Sequence, residues 1–120
     1  MKYESYPTFK FTHDFESRLL ESQRVINKHP DRIPIICEKN RRSNVGEIDK
    51  IKYLVPRDLT CGQFIYVIKK RIQMHYENAL FITISGIMPQ TNTPIIDLYE
   101  RYKDEDGFLY IMYSSENVFG

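Results

Sequence analysis

The chain has 120 residues, 42% hydrophobic and 28% charged, with a formal net charge of +1. That balance fits one globular domain with a core of its own and excludes a disordered chain, and no second domain is expected. No apolar run approaches the roughly 18 residues needed to cross a bilayer, so any membrane association is expected to be peripheral or covalent.

The charge is unevenly spread. Residues 1–38 carry six basic and six acidic side chains, residues 39–72 nine against three, and residues 73–120 two against seven. The middle third, at +6, therefore forms a basic face suited to acidic partners. Residues 1–12 hold Tyr3, Tyr6, Phe9, Phe11 and Pro7; their spacing fits a short extra helix or an extended arm and does not decide between them. From Asp14, a suitable N-cap, to Lys28 the residues Phe15, Leu19, Ser22 and Ile26 fall on one stripe, which predicts an amphipathic helix stopped before Pro30. Ile33–Glu38 and Lys52–Val55 predict two strands of a hairpin with a loose loop around Asn44 and Gly46, with Pro34 and Pro56 at the strand margins. Thr60 and Gln63 form a capping box ahead of Phe64, Ile65, Ile68 and Ile72, predicting a helix that runs to about Met74 or His75. Leu80–Ile84 and Phe108–Tyr113 predict two more strands, with a short helix around Asp97–Tyr102 between them. The domain is expected over 14–113, after an arm or short helix at 1–13 and before a projecting tail at 114–120.

This order, with a hairpin, a crossing helix and a second strand pair, is that of a β-grasp, an α+β arrangement in which one mixed sheet packs on a central helix. Several runs carry a closer likeness: Lys28-His-Pro-Asp-Arg-Ile-Pro34, Lys50-Ile-Lys-Tyr-Leu-Val-Pro56, Leu59-Thr-Cys-Gly-Gln-Phe64, Asp104-Glu-Asp-Gly-Phe-Leu-Tyr110 and Tyr113-Ser-Ser-Glu-Asn-Val-Phe-Gly120. In these the chain resembles the ubiquitin-like autophagy modifiers, the family that includes the GABA-receptor-associated protein, over nearly everything from Phe15 onward.

The resemblance implies a ubiquitin-like β-grasp with two additional N-terminal helices and no catalytic activity. It implies that Gly120 is activated by a ubiquitin-like relay of activating and conjugating enzymes and joined to phosphatidylethanolamine, with a cysteine protease able to undo the bond. No cofactor is implied beyond that covalent lipid. A terminal glycine suits the step, because without a Cβ it can thread a narrow enzyme channel and leave its carbonyl open to attack. The expected localisation is cytoplasmic, with a lipidated pool on autophagosome or related organelle membranes.

The family also binds receptors and adaptors carrying an aromatic residue, two arbitrary residues and then Leu, Ile or Val, added as a strand to a sheet edge. Carried over by position, Glu21, Val25, Pro34, Lys52, Leu54 and Phe108 form the aromatic pocket. Tyr53, Val55, Pro56, Leu59, Phe64 and Val67 form the aliphatic pocket. Arg32, Lys50, Lys52 and Arg71 meet acidic residues flanking the motif. Spacing alone fits Leu54, Val55 and Phe64 to the core better than to a pocket, and edge lysines also serve against aggregation; the joint match to the family favours the pockets.

The chain departs from the family at His29, where Tyr is usual, at Ile51, where Lys is common, and in a slightly longer N-terminus. It ends at the glycine, whereas many relatives carry extra residues that a protease removes.

His13, His29 and His75 lack the spacing of metal ligands. Cys37 and Cys61, 24 positions apart, are expected as reduced core thiols, although Cys61, in the first turn of a helix, has a position that could lower its pKa. No phosphate loop, nucleophile elbow or dinucleotide fingerprint occurs. Two other functions fit the residues less well: a nucleic-acid binder, since Arg and Lys interleave with Tyr53, Phe64 and Tyr66, and an unconjugated adaptor or tubulin-binding module. Nucleic acid is not the expected partner.

Overall fold

A computed structural model describes residues 8–75 and 77–115. Among them run α1 (Phe9–Thr12), α2 (Phe15–Lys28), β1 (Arg32–Lys39), β2 (Lys52–Pro56), α3 (Cys61–Arg71), β3 (Phe81–Thr83), α4 (Ile95–Tyr102) and β4 (Leu109–Ser114). The strands form one mixed sheet in the order β2-β1-β4-β3, with β1 and β4 parallel and the other two pairs antiparallel. This is the α+β β-grasp, with two helices ahead of it.

The two faces of the sheet are separated by the two-residue alternation of its strands. Ile33, Ile35 and Cys37 of β1, Tyr53 and Val55 of β2, and Ile111 and Tyr113 of β4 share the main core with Cys61, Phe64 and Ile68 of α3. Ile36 points the other way and packs with Phe9 and Phe108, while Ile51 and Tyr110 lean against that second, smaller core. The central strand β1 is thus covered on both faces, which is why it reads as an almost unbroken apolar run. Ile51, where the family commonly has a lysine, has a packing role here.

Helix starts follow the expected caps. The Ser17 N–H donates to Asp14 Oδ1 at 2.9 Å, and both arms of the Thr60–Gln63 capping box form. Thr8 caps α1 by accepting from the Phe11 N–H, so the aromatic segment begins a helix at Phe9.

Several boundaries and orientations differ from the sequence expectation. α3 stops at Arg71, three residues short of Met74, because Gln73 takes a left-handed φ of 59°. The Met74 and Gln73 N–H groups then donate back to the Lys69 and Lys70 carbonyls, the hydrogen-bond pair that closes a helix C-terminus. On α2 the inward stripe is turned: Phe15 is 43% exposed, whereas Arg18 and Ser22 are buried. Arg18 is drawn in by Asp106, whose Oδ2 lies 2.8 Å from its Nε. β3 is shorter than expected, and Ile84 instead pairs with Ile87 across a tight turn at Ser85 and Gly86, both at positive φ. α4 begins at Ile95, earlier than Asp97. Ser114 belongs to β4 and is buried, so the tail begins after it.

Pro34 sits inside β1 opposite Leu54, not at its margin. It costs no ladder bond. The Cys37 N–H donates to the Ile51 carbonyl, so by antiparallel alternation Ile35–Tyr53 and Ile33–Val55 exchange hydrogen bonds, and the missing Pro34 N–H would face β4. Pairing with β4 begins only at Ile35.

Candidate functional site

The same alternation decides what the edge strand offers. β2 has β1 on one side and no described strand on the other. Tyr53 and Val55 spend their backbone groups on β1, while Lys52 and Leu54 turn theirs outward, where an added strand could use them. Pro56 ends this edge, having no N–H to give, and its carbonyl already accepts from Leu59.

The residues expected to form the aromatic pocket come together on the α2 face of the sheet. Pro34 and Leu54 are register partners, Phe108 immediately precedes the Leu109 that pairs with Ile35, and half-buried Glu21 and Val25 come from α2. Lys52 Nζ lies 2.8 Å from Glu21 Oε2, joining helix to edge strand. The same ammonium stands 5.2 Å from the centre of the Phe9 ring.

The residues expected to form the aliphatic pocket are divided. Leu59 and Val67 line one shallow hollow with Tyr66, and Pro56 is exposed at the end of β2. Tyr53, Val55 and Phe64 are in the main core, Phe64 with no exposed surface. Tyr53 and Phe64 meet edge to face with ring centroids 5.6 Å apart, which closes the seam between β2 and α3. Tyr53 Oη is buried there with no hydrogen-bond partner among the described residues, and burial pushes its pKa up.

Of the expected electrostatic contacts, Arg32 is exposed at the start of β1. Lys50 lies over the Tyr53 ring at 5.2 Å. Arg71 holds Asp49, Nε to Oδ1, at 2.9 Å. Gly120 lies outside the described residues. The last of these, Ser115, donates its N–H to Ser43 Oγ at 3.0 Å.

Sequence reasoning missed three groups. Phe9 lies in a segment whose spacing fits two conformations, although Thr8 directly before it is a usable cap signal. Asp49 is, in the sequence, one acid among bases. Asp106 has no local pattern to mark it, yet its carboxylate accepts from Arg18, Tyr110 and the Phe108 N–H. Cys61 is a core thiol as expected, and its place in the first turn of α3 does not lower its pKa: it is fully buried, and burial raises its thiol to about 11. Cys37 is pushed up by burial as well. Both cysteines are free. No helix among the described residues is long and apolar enough to cross a membrane.

A four-stranded mixed sheet closed over one helix, fronted by two helices and left open at β2, defines a ubiquitin-like protein. The chain belongs to the Atg8 family of autophagy proteins, whose family model, described as autophagy protein Atg8, ubiquitin like, matches residues 17–120. It is 58% identical over 112 residues to autophagy-related protein 8 of Pichia angusta, covering 93% of this chain and 90% of that protein. It is 54% identical to the Mycosarcoma maydis protein of the same name, at 93% and 95%. Among solved structures, Trypanosoma brucei ATG8 superposes with a TM-score of 0.88 at 47% identity, over 97% of this chain and all of that one. Plasmodium falciparum Atg8, solved in complex with an Atg3 peptide from the same organism, gives 0.85 at 36% identity, over 93% and 98%.

Proposed function

We propose that this chain is a protein modifier joined through Gly120 to phosphatidylethanolamine, which it uses to gather peptide-bearing receptors at an autophagic membrane. The observation that carries the peptide half is the β2 edge. Among the described residues, Lys52 and Leu54 turn backbone groups outward with no strand to take them, beside the apolar side chains of Pro34, Leu54 and Phe108 on the α2 face of the sheet. A ligand strand along that edge would gain main-chain hydrogen bonds, and its aromatic side chain would lie against those apolar residues.

The lipid half rests on family membership and on the terminal Asn-Val-Phe-Gly. The Atg3 peptide bound by the Plasmodium relative supports a conjugating enzyme as a partner, entering by the same kind of peptide contact. Activating enzyme, deconjugating cysteine protease and receptors with aromatic-x-x-Leu, Ile or Val motifs complete the proposed set. The chain supplies no catalytic group to the transfer: the relay enzyme carries the Gly120 acyl group as a thioester, the lipid amine attacks its carbonyl, and the enzyme thiol leaves.

Incubation with matching activating and conjugating enzymes, ATP and phosphatidylethanolamine liposomes should add one lipid to the intact mass. Absence of the adduct would favour the unconjugated adaptor. For the peptide half, Leu54→Ala should weaken an aromatic-x-x-Leu peptide by about 2 kcal/mol in calorimetry. Unchanged affinity with an intact fold would reject the edge assignment.

A further inference from the structure

Two cations at the β2 edge already hold carboxylates of this chain. Arg71, the last residue of α3, forks onto Asp49, with Nε 2.9 Å from Oδ1 and Nη2 3.4 Å from Oδ2. Lys52 pairs with Glu21 at 2.8 Å. Asp49 stands three residues ahead of β2, so its pair with Arg71 links the entry to the edge strand with the end of the helix that packs behind it. The pair is open to water: the Arg71 and Asp49 side chains are 42% and 71% exposed. An ion pair at such exposure contributes little and exchanges freely.

We propose that Asp49 is an internal competitor for Arg71, so that a peptide with acidic residues beside its aromatic anchor must displace Asp49 to make that contact. The inference rests on the peptide-binding reading of the β2 edge and specifies how that edge discriminates among ligands. An incoming carboxylate gains one ion pair on Arg71 while Asp49 loses one. The short-range terms nearly cancel, and what remains is the longer-range attraction of the basic middle segment, which speeds association more than it tightens the complex. Asp49 thereby limits the premium on acidic flanks and leaves recognition to the backbone edge and the apolar residues beside it. Lys52 and Glu21 repeat the arrangement, but half-buried Glu21 also ties α2 to the edge strand, so Asp49 is the residue whose removal isolates the effect.

The experiment is calorimetry on the full chain with two aromatic-x-x-Leu peptides, one with Asp and Glu before the aromatic residue and one with Asn and Gln there. Asp49→Asn should tighten the acidic peptide by about two- to five-fold, the span of an exposed ion pair, and leave the neutral peptide unchanged. In an Arg71→Gln background the same substitution should do nothing, because the contested cation is gone. A gain that persists without Arg71 would mean a general charge effect and would overturn the inference, as would no gain at all. If neither peptide binds the wild-type chain, the peptide-binding reading falls and takes the inference with it; binding without the predicted gain removes the inference alone.

Discussion

Phe9 and Phe108 meet edge to face, with ring centroids 5.4 Å apart and planes at 80°. Phe9 comes from a helix of four residues and Phe108 from the turn before β4, and their contact binds the N-terminal segment to the α2 face of the sheet. The Phe9 N–H also donates to Glu38 Oε2 at 2.7 Å. The first helix is therefore held by tertiary contacts, the buried Phe9 ring, this charge-assisted hydrogen bond and the Lys10–Asp104 ion pair at 2.6 Å among them, since four residues cannot sustain a helix by propensity.

Phe9→Ala removes that ring from a fully buried position and should destabilise the fold by about 3 kcal/mol. Chemical denaturation monitored by circular dichroism measures it. A loss below about 1 kcal/mol would show that α1 is not an integral part of the domain. Because the ring also lies under Lys52, the variant should weaken the aromatic-x-x-Leu peptide as well.

Asp106 is inaccessible to water and accepts from Arg18, Tyr110 and the Phe108 N–H, while its own carbonyl accepts from Ser22 Oγ. Removing one partner of a buried charge pair leaves the other uncompensated, so Asp106→Ala should cost about 3 kcal/mol in denaturant unfolding. The neighbouring Gly107 has a φ of 91°, and a Cβ there would run into Ser22 Oγ. Gly107→Ala should thus be destabilising too, whereas Gly46→Ala, which meets open space, should be close to neutral.

Tyr53→Phe should leave the fold as stable as it was or stabilise it by up to about 1 kcal/mol. The hydroxyl it removes is buried without a partner among the described residues, and an unsatisfied buried group carries a desolvation cost that a phenyl ring does not. A clear fall in melting temperature would show that the hydroxyl has a bridging water or another partner.

Acid should destabilise the chain through Glu47 and Asp104. The Arg41 fork at 2.9 Å and 3.3 Å holds Glu47 below its ordinary 4.5. Partial burial would raise Asp104, but the Lys10 ammonium at 2.6 Å and the Asp106 N–H outweigh it and hold the group below 3.8. Both native carboxyls release protons more readily than the unfolded ones. Their contribution is therefore complete above about pH 4.5 and is lost as pH falls through the depressed native values. Melting temperature recorded against pH should decline below that point, and Lys10→Met should lower stability at neutral pH while making the acid decline shallower.

The order of elements, the caps at Asp14 and Thr60, and the family are legible along the chain, because local periodicity, side chain to backbone capping and extended identity are all written in neighbouring residues. The edge strand at Lys52–Val55 is legible there too. Which faces those elements turn inward depends on packing between distant parts of the chain. Arg18 displaces Phe15 from the inner side of α2 because Asp106, 88 positions away, offers it a buried partner, and Phe9 becomes core because Phe108 waits across the sheet. Tyr53 and Phe64 close the seam between β2 and α3 for the same reason, and Arg71 is already paired with Asp49. Contacts between residues far apart in the chain depend on chain closure and packing, and no local pattern encodes them.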